Sequence, residues 1–457
     1  MKKNAKSTTK TPPQLNLLNP ECAGIDIGAS EIFVCIANSS SEQEVRSFST
    51  FTTDLRCMIH WLQENHVKSV AMESTGVYWI VPYEMLEEAG FEVLLVNARF
   101  FKSVPGRKTD VQDCQWIQQL HSYGLLRGSF RPSNDTVELR SYVRQRSRVF
   151  ESAGTQVLLM HKALIQMNIQ LNHVISDITG VTGLNIIRAI LQGERDPNRL
   201  AALSVGQCRK NTGLITKALE GNFRKEHLFA LEQAYAAYEF FHTHIQRCEE
   251  AIEKILSSIH ANSWIPEQNT VETSSNKKCA RKTKSNRSPY FFNASDAIKR
   301  LTKADLTTIP GIDANTAMKI LSEIGTEMRP WPNAKAFASW LGLCPGNKIS
   351  GGKVLSSRTK PTDNRAATAL RMAAASLYRS KTAIGAFFRR MRSRLGAPKA
   401  ITAAAHKMAR IVYRMMITGN SYLEVGENYY EKQYQERVLA NLTKRAKDFG
   451  FTLIKTT

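Results

Sequence analysis

The sequence lacks long apolar runs, paired cysteines and an apolar leader. No apolar run approaches the roughly 20 residues that cross a bilayer, which excludes a membrane span. The eight cysteines form no CxxC pair and no cluster with histidine at zinc spacing, which excludes a zinc finger and indicates reduced thiols in a cytoplasm. Residues 1–20 have no apolar core of a secretory signal and are predicted to be a disordered tail.

Acidic residues are also scarce for a chain of 457 residues. Lys and Arg number 62 against 40 Asp and Glu, a net charge of +22. Cations that neutralise phosphates gain from counterion release, so nucleic acid is the leading partner, although a solubility role or an anionic membrane surface would also explain the charge. Between Asn364 and Val425 the only acid is Glu424. The candidate phosphate contacts there and just before are Lys348, Lys353, Arg358, Lys360, Arg365, Arg389, Arg390, Arg392 and Arg394.

Residues 21–128 are predicted to form an α/β domain. Two short apolar strands within 23–37 are joined by a Gly-Ala-Ser turn, and 44–51 can supply a third strand. Helical and strand patterns then alternate as far as a helix over 110–121, which implies a sheet with parallel members.

Residues 135–262 carry two runs of apolar residues at heptad spacing. They predict a coiled-coil hairpin or an oligomer contact, or equally two amphipathic helices in a local bundle. The first seam contains Val143, Phe150, Val157, Leu164 and Leu171, with Ala153, Met160, Met167 and Val174 behind it; the second contains Leu231, Tyr238, Ile245, Ile252 and Ile259, with Ala234, Phe241, Cys248 and Ile255 behind it.

The remainder divides by composition into three parts. Residues 263–295 are polar and basic and predict a flexible linker or insert. Residues 296–425 predict a mostly helical domain, in which Pro310-Gly311 resembles a helix-hairpin-helix turn able to hold a phosphate. Residues 426–457 are a C-terminal tail without an assigned role.

Four acids are candidates for catalysis. Asp26 lies inside an apolar strand, where an unpaired carboxylate is costly, and Glu73 ends another strand. Asp110 and Asp113 share one face at the start of a helix, although capping by Thr109 and the helix dipole would explain this pair alone. Four carboxylates without His or Cys suit Mg²⁺ or Mn²⁺ in phosphoryl transfer.

The motifs around these acids resemble those of a known family. Gly24-Ile-Asp26-Ile-Gly28, Met72-Glu73-Ser-Thr-Gly76 and Arg107-Lys-Thr-Asp110-Val-Gln-Asp113 are similar to the DEDD motifs of insertion-sequence transposases with a RuvC-like, ribonuclease-H-type domain. In that family the four acids bind divalent metal. The resemblance therefore implies that Asp26, Glu73, Asp110 and Asp113 are catalytic metal ligands.

The C-terminal half extends the resemblance. Residues 337–345 and Ile349-Ser350-Gly351-Gly352-Lys353 are similar to the serine transposase domain of the same family, in which the serine before the glycines is the nucleophile. Two glycines let the backbone approach a phosphate, and the flanking lysines attract it. Without the resemblance an ordinary Ser-Gly-Gly turn is the better interpretation, and Ser356 and Ser357 are rivals to Ser350.

The resemblance covers about 23–422 and implies the whole activity. A ribonuclease-H/RuvC-like α/β domain, long coiled-coil helices and a mostly helical serine transposase domain (fold class α/β + α) are expected. The family acts on donor and target double-stranded DNA under the guidance of a noncoding bridge RNA, as a dimer or tetramer with composite sites. Two rival hypotheses remain: a metal-dependent junction nuclease that uses water, and a noncatalytic nucleic-acid-binding scaffold.

Overall fold

The computed structural model describes residues 16–37, 42–74, 76–97, 109–263 and 290–454. The chain divides between Arg131 and Pro132 into two compact units. Most of the predicted linker, the first fifteen residues, and Arg107 and Lys108 of the third acidic motif lie outside the described residues.

The first unit is a mixed α/β domain, as predicted, built on a five-stranded sheet. The strand order is β3-β2-β1-β4-β5; β1, β2 and β3 are antiparallel neighbours, whereas β4 is parallel to both β1 and β5. The elements are β1 (Cys22–Ile27), β2 (Glu31–Ala37), β3 (Gln43–Ser49), α1 (Thr52–Glu64), β4 (Ser69–Glu73), α2 (Ile80–Glu88), β5 (Glu92–Val96) and α3 (Asp110–Ser122).

The two faces of the sheet have different coverings because side chains alternate along each strand. Ile25 and Ile27 of β1 and Met72 of β4 pack into the main core with Leu55 and Leu62 of α1. The opposite face carries a smaller core of Ala71, Val96 and Ile117, the last of which lies on α3. Gly24, Asp26 and Glu73 therefore face the α3 side.

Part of the predicted N-terminal tail packs against this unit. The backbone N–H groups of Leu18 and Asn19 donate to the carbonyl of Ser122, at 2.8 and 3.0 Å. The chain is thus ordered several residues before β1, at the C-terminal end of α3.

The second unit is mostly helical, also as predicted, and its longest helices are α4 (Asn134–Gln166) and α9 (Lys225–Ser263). They pack against each other antiparallel, since Arg146 contacts Glu249 while Met160 and Leu231 share a core near the other end. Between them lie α5 (Leu171–Val174), α6 (Val181–Leu191), α7 (Pro197–Ala202), a 3-10 turn (Gly206–Asn211) and α8 (Thr212–Ala218).

The two heptad seams differ in how well they follow one helix face. In α9 the five residues that define the second seam, from Leu231 to Ile259, are all buried. In α4, Phe150 is 45% exposed, and Leu171 and Val174 fall in α5 because Asn168 at φ +59° follows the end of α4.

A buried ion pair ties the helical hairpin to the chain that follows the predicted linker. Arg146 Nε and Nη2 both lie 2.6 Å from Glu249 Oε1, and Glu249 Oε2 accepts from the N–H of Phe291. The Arg146 guanidinium lies over the ring of Tyr290, 4.0 Å from its centre. Residues from Tyr290 onward are therefore packed, inside the range predicted as linker.

The C-terminal part of the second unit combines helices with one short hairpin, whose strands are largely exposed. The helices are α10 (Ala294–Thr302), α11 (Ala314–Ile324), α12 (Ala334–Trp340), α13 (Arg365–Ala375), α14 (Ala383–Leu395), α15 (Ala397–Thr418) and α16 (Gly426–Asp448), with 3-10 turns at Leu306–Thr308 and Ser376–Arg379 and the strands β6 (Lys348–Ser350) and β7 (Lys353–Ser356). The range predicted as a C-terminal tail is thus largely one helix. Across the described ranges, no helix is both long enough and apolar enough to cross a bilayer.

Candidate functional site

The predicted acids of the first unit converge at the carboxyl ends of β1 and β4. Ile25 pairs with Met72 in parallel register, and continuing this register places Asp26 beside Glu73 on the α3 side of the sheet. Glu73 is buried and Asp26 half-buried, whereas Asp113 is half-buried and Asp110 exposed at the start of α3. The parallel strands and one helix therefore bring together acids that are far apart in sequence.

Gly24 allows the backbone of α3 to pack directly against β1. A Cβ atom at Gly24 would lie 2.2 Å from the backbone nitrogen of Gln118 and 2.4 Å from the carbonyl oxygen of Cys114. Any side chain would push α3 away from β1. The first glycine of the Gly-Ile-Asp motif thus sets the distance between the helix that carries Asp110 and Asp113 and the strand that carries Asp26.

The electrostatics of the cluster centre on Asp26. The pKa of Asp26 is raised from 3.8 to about 6: burial raises it most, the charges of Glu73, Asp113 and Asp110 raise it in that order, and a backbone hydrogen bond from Ile27 lowers it. The aspartate is thus held in a field of excess negative charge. A nearby cation would relieve this repulsion.

The donor set has the chemistry of a magnesium site, because carboxylate oxygens are the ligands that Mg²⁺ and Mn²⁺ prefer. Within the ranges that the structure covers, no three His, Cys, Asp or Glu side chains are grouped as they would be around a bound metal ion. Thr109 caps α3 by accepting from the N–H of Gln112 at 3.2 Å, so the capping role considered for this turn is present. Capping does not account for Asp26 and Glu73, which lie on strands.

Two buried thiols lie next to this cluster, and sequence reasoning missed them. Cys114 of α3 and Cys35 of β2 are both fully buried. A hydrogen bond with Cys35, burial, and the charges of Cys35 and Asp26 raise the pKa of the Cys114 thiol. Cys114 lies four residues after Asp110 and one after Asp113, and this spacing could have indicated from the sequence that its thiol lies near the acids.

Ser350 lies at the tip of the β6–β7 hairpin. It pairs directly with Lys353 across a two-residue turn whose glycines, Gly351 and Gly352, have φ of +54° and +74°. Positive φ at both central residues is the geometry of a tight hairpin turn and favours glycine. Ser350, Lys348 and Lys353 are all exposed.

The hairpin places one ammonium group beside the serine. Directly opposed residues of antiparallel strands project to the same face, so Lys353 is the cross-strand neighbour of Ser350. The rival Ser356 accepts a hydrogen bond from the N–H of Arg358 at 3.3 Å, whereas the described residues provide no partner for the hydroxyl of Ser350. Ser350 is therefore free to meet a ligand.

The base of the hairpin is held by backbone contacts. The N–H of Gly346 donates to the carbonyl of Arg358 at 3.0 Å, and Pro345 bridges Thr359. Arg358 and Lys360 are exposed in the segment that leaves β7, and Arg365 begins α13.

The Pro310-Gly311 turn packs against a neighbouring helix. A Cβ at Gly311, whose φ is +86°, would lie 2.7 Å from the carbonyl oxygen of Ala373 in α13. The side chain of Asp313 caps α11 by accepting from the N–H of Thr316 at 2.8 Å. Gly311 therefore allows close packing against α13. The carboxylate of Asp313 already accepts from the backbone N–H of Thr316, a group that a bound phosphate would otherwise use.

The predicted arginines of α14 fall into two groups. Arg389 and Arg390 form ion pairs with Glu427 and Glu431 of α16. Arg392 and Arg394 are exposed, and Arg392 lies over the ring of Tyr378 at 4.2 Å.

A groove between α4, α11 and α13 gathers cations that sequence reasoning did not select. It has a volume of about 350 Å³, and Arg365 lines it together with Arg144, Arg148 and Lys319, against the acids Glu151 and Glu323. Arg144 donates to both oxygens of Glu323 at 2.8 Å. Arg144 and Arg148 belong to a run of arginines in α4, at positions 140, 144, 146 and 148, which was a local signal in the sequence, whereas Lys319 comes from α11, far along the chain.

Comparison with known proteins identifies two transposase domains. Residues 23–169 match a family model for DEDD transposases of IS110, described as a transposase, and residues 303–389 match the model of the transposase IS116/IS110/IS902 family. A comparison with curated protein sequences gives no match. The first match contains all four acids and the second contains Ser350 and the hairpin. Together the two domains support an IS110-family transposase, an activity that implies binding of DNA and its recombination by phosphoryl transfer.

Proposed function

We propose that the chain is an insertion-sequence transposase that cuts and rejoins DNA through a covalent phosphoserine intermediate. Asp26, Glu73, Asp110 and Asp113 hold Mg²⁺ or Mn²⁺, and Ser350 is the nucleophile. The strand order of the first unit supports a ribonuclease-H-type, RuvC-like fold. The single observation that carries the metal assignment is the raised pKa of Asp26 among three other acids, on strands and a helix that converge.

The proposed chemistry conserves the phosphodiester bond energy. The Oγ of Ser350 forms a bond to phosphorus while the bond from phosphorus to a deoxyribose oxygen breaks, and the departing hydroxyl end gains a proton. A second hydroxyl end then displaces serine and restores the protonated Oγ. When bound, the metal ion supplies charge stabilisation to the oxygens that attack and leave.

The chain's own residues have separate tasks. Lys353, directly opposite Ser350, attracts the phosphate, and the two glycines let the backbone approach it. The cations Arg144, Arg148, Lys319 and Arg365 of the groove hold the nucleic-acid backbone. Following the resemblance, we include a bridge RNA as guide and a dimer or tetramer as the working assembly.

A water-using nuclease is the second candidate. It is favoured by one observation: the described residues give the hydroxyl of Ser350 no hydrogen-bond partner to activate it. In that case the acids serve hydrolysis and Ser350 only contacts phosphate. A covalent adduct distinguishes the two candidates.

The test is a search for a protein–DNA adduct, by denaturing gel and peptide mass spectrometry, with protein co-expressed with its flanking element sequence. The variants are Ser350→Ala and Asp26→Asn, with Ser357→Ala as the control because Ser357 is an exposed serine just beyond the same hairpin. We expect an adduct on Ser350 that is lost in the first two variants and kept in the third. DNA cleavage without an adduct, retained in Ser350→Ala, would select the nuclease; an Asp26→Asn variant with unchanged activity would exclude both.

A further inference from the structure

Helix α16 lies against α14 through charge and ring contacts. None of the residues of α16 is buried. Glu427 pairs with Arg389, Glu431 pairs with Arg390, and the ring of Tyr430 meets Phe387 edge-on at 6.3 Å. A helix that buries nothing in a core is attached by contacts that water and salt can replace.

The contacts occupy two arginines in the most acid-poor stretch of the chain. Arg389 also donates to the carbonyl oxygens of Tyr378 and Ser380, at 3.2 and 2.6 Å, which fixes its guanidinium at this surface. Arg390 lies over the ring of Tyr434, 3.2 Å from its centre. The acids that neutralise these two arginines come from α16 and not from α13, α14 or α15, which contain none.

Arg390 is left incompletely satisfied by this arrangement. Its Nη1 atom is buried and has no hydrogen-bond partner among the described residues, although Nη2 donates to Glu431. A guanidinium binds carboxylate and phosphate in the same forked geometry, and a phosphate offers more acceptor oxygens than one carboxylate oxygen does. The surface under α16 thus has the chemistry of a phosphate-binding site, and the carboxylate of Glu431 satisfies only part of its hydrogen-bonding capacity.

The start of α16 can remain attached while the helix swings away. Glu424 Oε1 accepts from the N–H groups of Ala383, at the start of α14, and Gly426, both at 2.8 Å. Gly426 has a φ of +81°, which few residues other than glycine adopt. The connection between α15 and α16 is therefore held up to the residue directly before a glycine, since the N–H of Tyr422 also donates to Thr308 Oγ1 at 3.2 Å.

We propose that α16 is an intramolecular competitor for a DNA-binding surface on α14. Glu427 and Glu431 mimic phosphates on Arg389 and Arg390, and DNA binds these arginines only after α16 has detached. The inference rests on the proposed function, since it assumes that α14 faces DNA in the working transposase. It assigns a role to the C-terminal residues beyond 425.

The test measures DNA affinity when the competing acids are neutralised. The double variant Glu427→Gln/Glu431→Gln is compared with the double variant Glu436→Gln/Asp448→Asn, which removes two carboxylate charges from the same helix at exposed residues that form no ion pair with the described part of α14. Fluorescence anisotropy with a labelled 40-base-pair duplex is recorded over a series of KCl concentrations. We expect the double variant to bind about fivefold to tenfold tighter near 100 mM salt, and its log–log salt slope to steepen by up to about 2, because two phosphate contacts no longer displace carboxylates.

Two further measurements separate competition from a general charge effect. Adding Arg389→Ala and Arg390→Ala to the double variant should abolish the gain in affinity. In the wild-type protein, hydrogen exchange of peptides over 426–437 should accelerate when duplex DNA is added. A gain no larger than that of Glu436→Gln/Asp448→Asn, unchanged exchange in α16 on DNA binding, or a gain with RNA but not DNA would overturn the proposal.

The adduct assay on the same proteins distinguishes this proposal from the proposed function. If the double variant binds DNA more tightly but no adduct forms, the competitor stands and the phosphoserine mechanism fails. If the adduct forms and affinity does not change, only the competitor fails. Absence of DNA binding in every variant would overturn both.

Discussion

The strongest prediction concerns how much ionised Asp26 lowers the free energy of unfolding of the metal-free protein. A folded-state pKa of about 6 against an ordinary value of 3.8 means that the folded protein binds the Asp26 proton more tightly than the unfolded chain does. The contribution of Asp26 to stability is then greatest below the ordinary pKa of 3.8, and is lost as the pH rises through the folded-state pKa. The difference corresponds to roughly 3 kcal/mol at neutral pH, which we reduce to about 1–2 kcal/mol because the side chain is partly exposed and screened.

Asp26→Asn should therefore stabilise the first unit in a chelating buffer. At about pH 8 we expect an increase of about 1–2 kcal/mol in its free energy of unfolding, and near pH 4.5 only about a third of that increase, since Asp26 is then protonated in the folded wild type but mostly ionised in the unfolded chain. The measurement is a urea series read by pulsed hydrogen exchange in peptides over 22–37 and 69–96, which reports the first unit in the intact chain. Saturating Mg²⁺ should reverse the order by stabilising the wild type alone.

The control for this experiment is Glu88→Gln, which removes one carboxylate charge from an exposed position of α2. Its stability should follow that of the wild type at both pH values, with and without Mg²⁺. An Asp26→Asn variant that is no more stable than the wild type at about pH 8, or a stabilisation of the same size near pH 4.5, would refute the picture of Asp26 as a carboxylate strained by its acidic neighbours.

Three other substitutions test the supports of the two candidate sites. Gly24→Ala should destabilise the first unit by roughly 1–3 kcal/mol and weaken Mg²⁺ binding in calorimetry, because the added Cβ overlaps the α3 backbone. The control Gly154→Ala, whose Cβ would have nothing within 4 Å, should leave stability unchanged or raise it. Equal effects of the two substitutions would contradict this role of Gly24. Glu249→Gln should cost the second unit roughly 3–5 kcal/mol in urea unfolding by removing the carboxylate charge that faces the buried guanidinium of Arg146, and a loss below about 1 kcal/mol would show that the pair is not buried in solution. Gly352→Val should abolish the Ser350 adduct while Gly352→Asn retains it, since asparagine tolerates the positive φ of +74° and a β-branched residue does not. Retention of the adduct in both variants would show that the reactivity of Ser350 does not depend on this turn.

Local patterns predicted the elements that make the acidic site. The alternation of Ile25, Asp26 and Ile27 places an acid on a strand opposite the core, and the mixed α/β domain that follows from such patterns is confirmed. The sheet order could not be read from the residues alone, because it depends on pairings between strands that lie far apart in sequence. The close approach at Gly24 also escaped prediction, since the backbone it contacts lies about ninety residues later.

Prediction was weakest where the partner of a charged residue is distant. A run of arginines in α14 indicates a phosphate surface, but Glu427 and Glu431, which pair with two of them, lie 38 and 41 residues further on. The helix that carries these acids has a polar sequence and buries nothing, so it gave no apolar periodicity to separate it from a tail. The heptad runs likewise predicted two long helices without indicating whether each would pair with the other or with a second copy.

Asp26 and Arg390 have in common that the protein fold alone leaves each of them poorly satisfied. Burial and the neighbouring carboxylates raise the pKa of Asp26, and Arg390 buries a donor atom without an acceptor among the described residues. Each arrangement costs stability that a neutral side chain would avoid, so neither is explained by folding. A divalent cation would satisfy the first, and a phosphate oxygen the second. Phosphoryl transfer on DNA requires both of these ligands, so the two local conflicts support the same function from separate units of the chain.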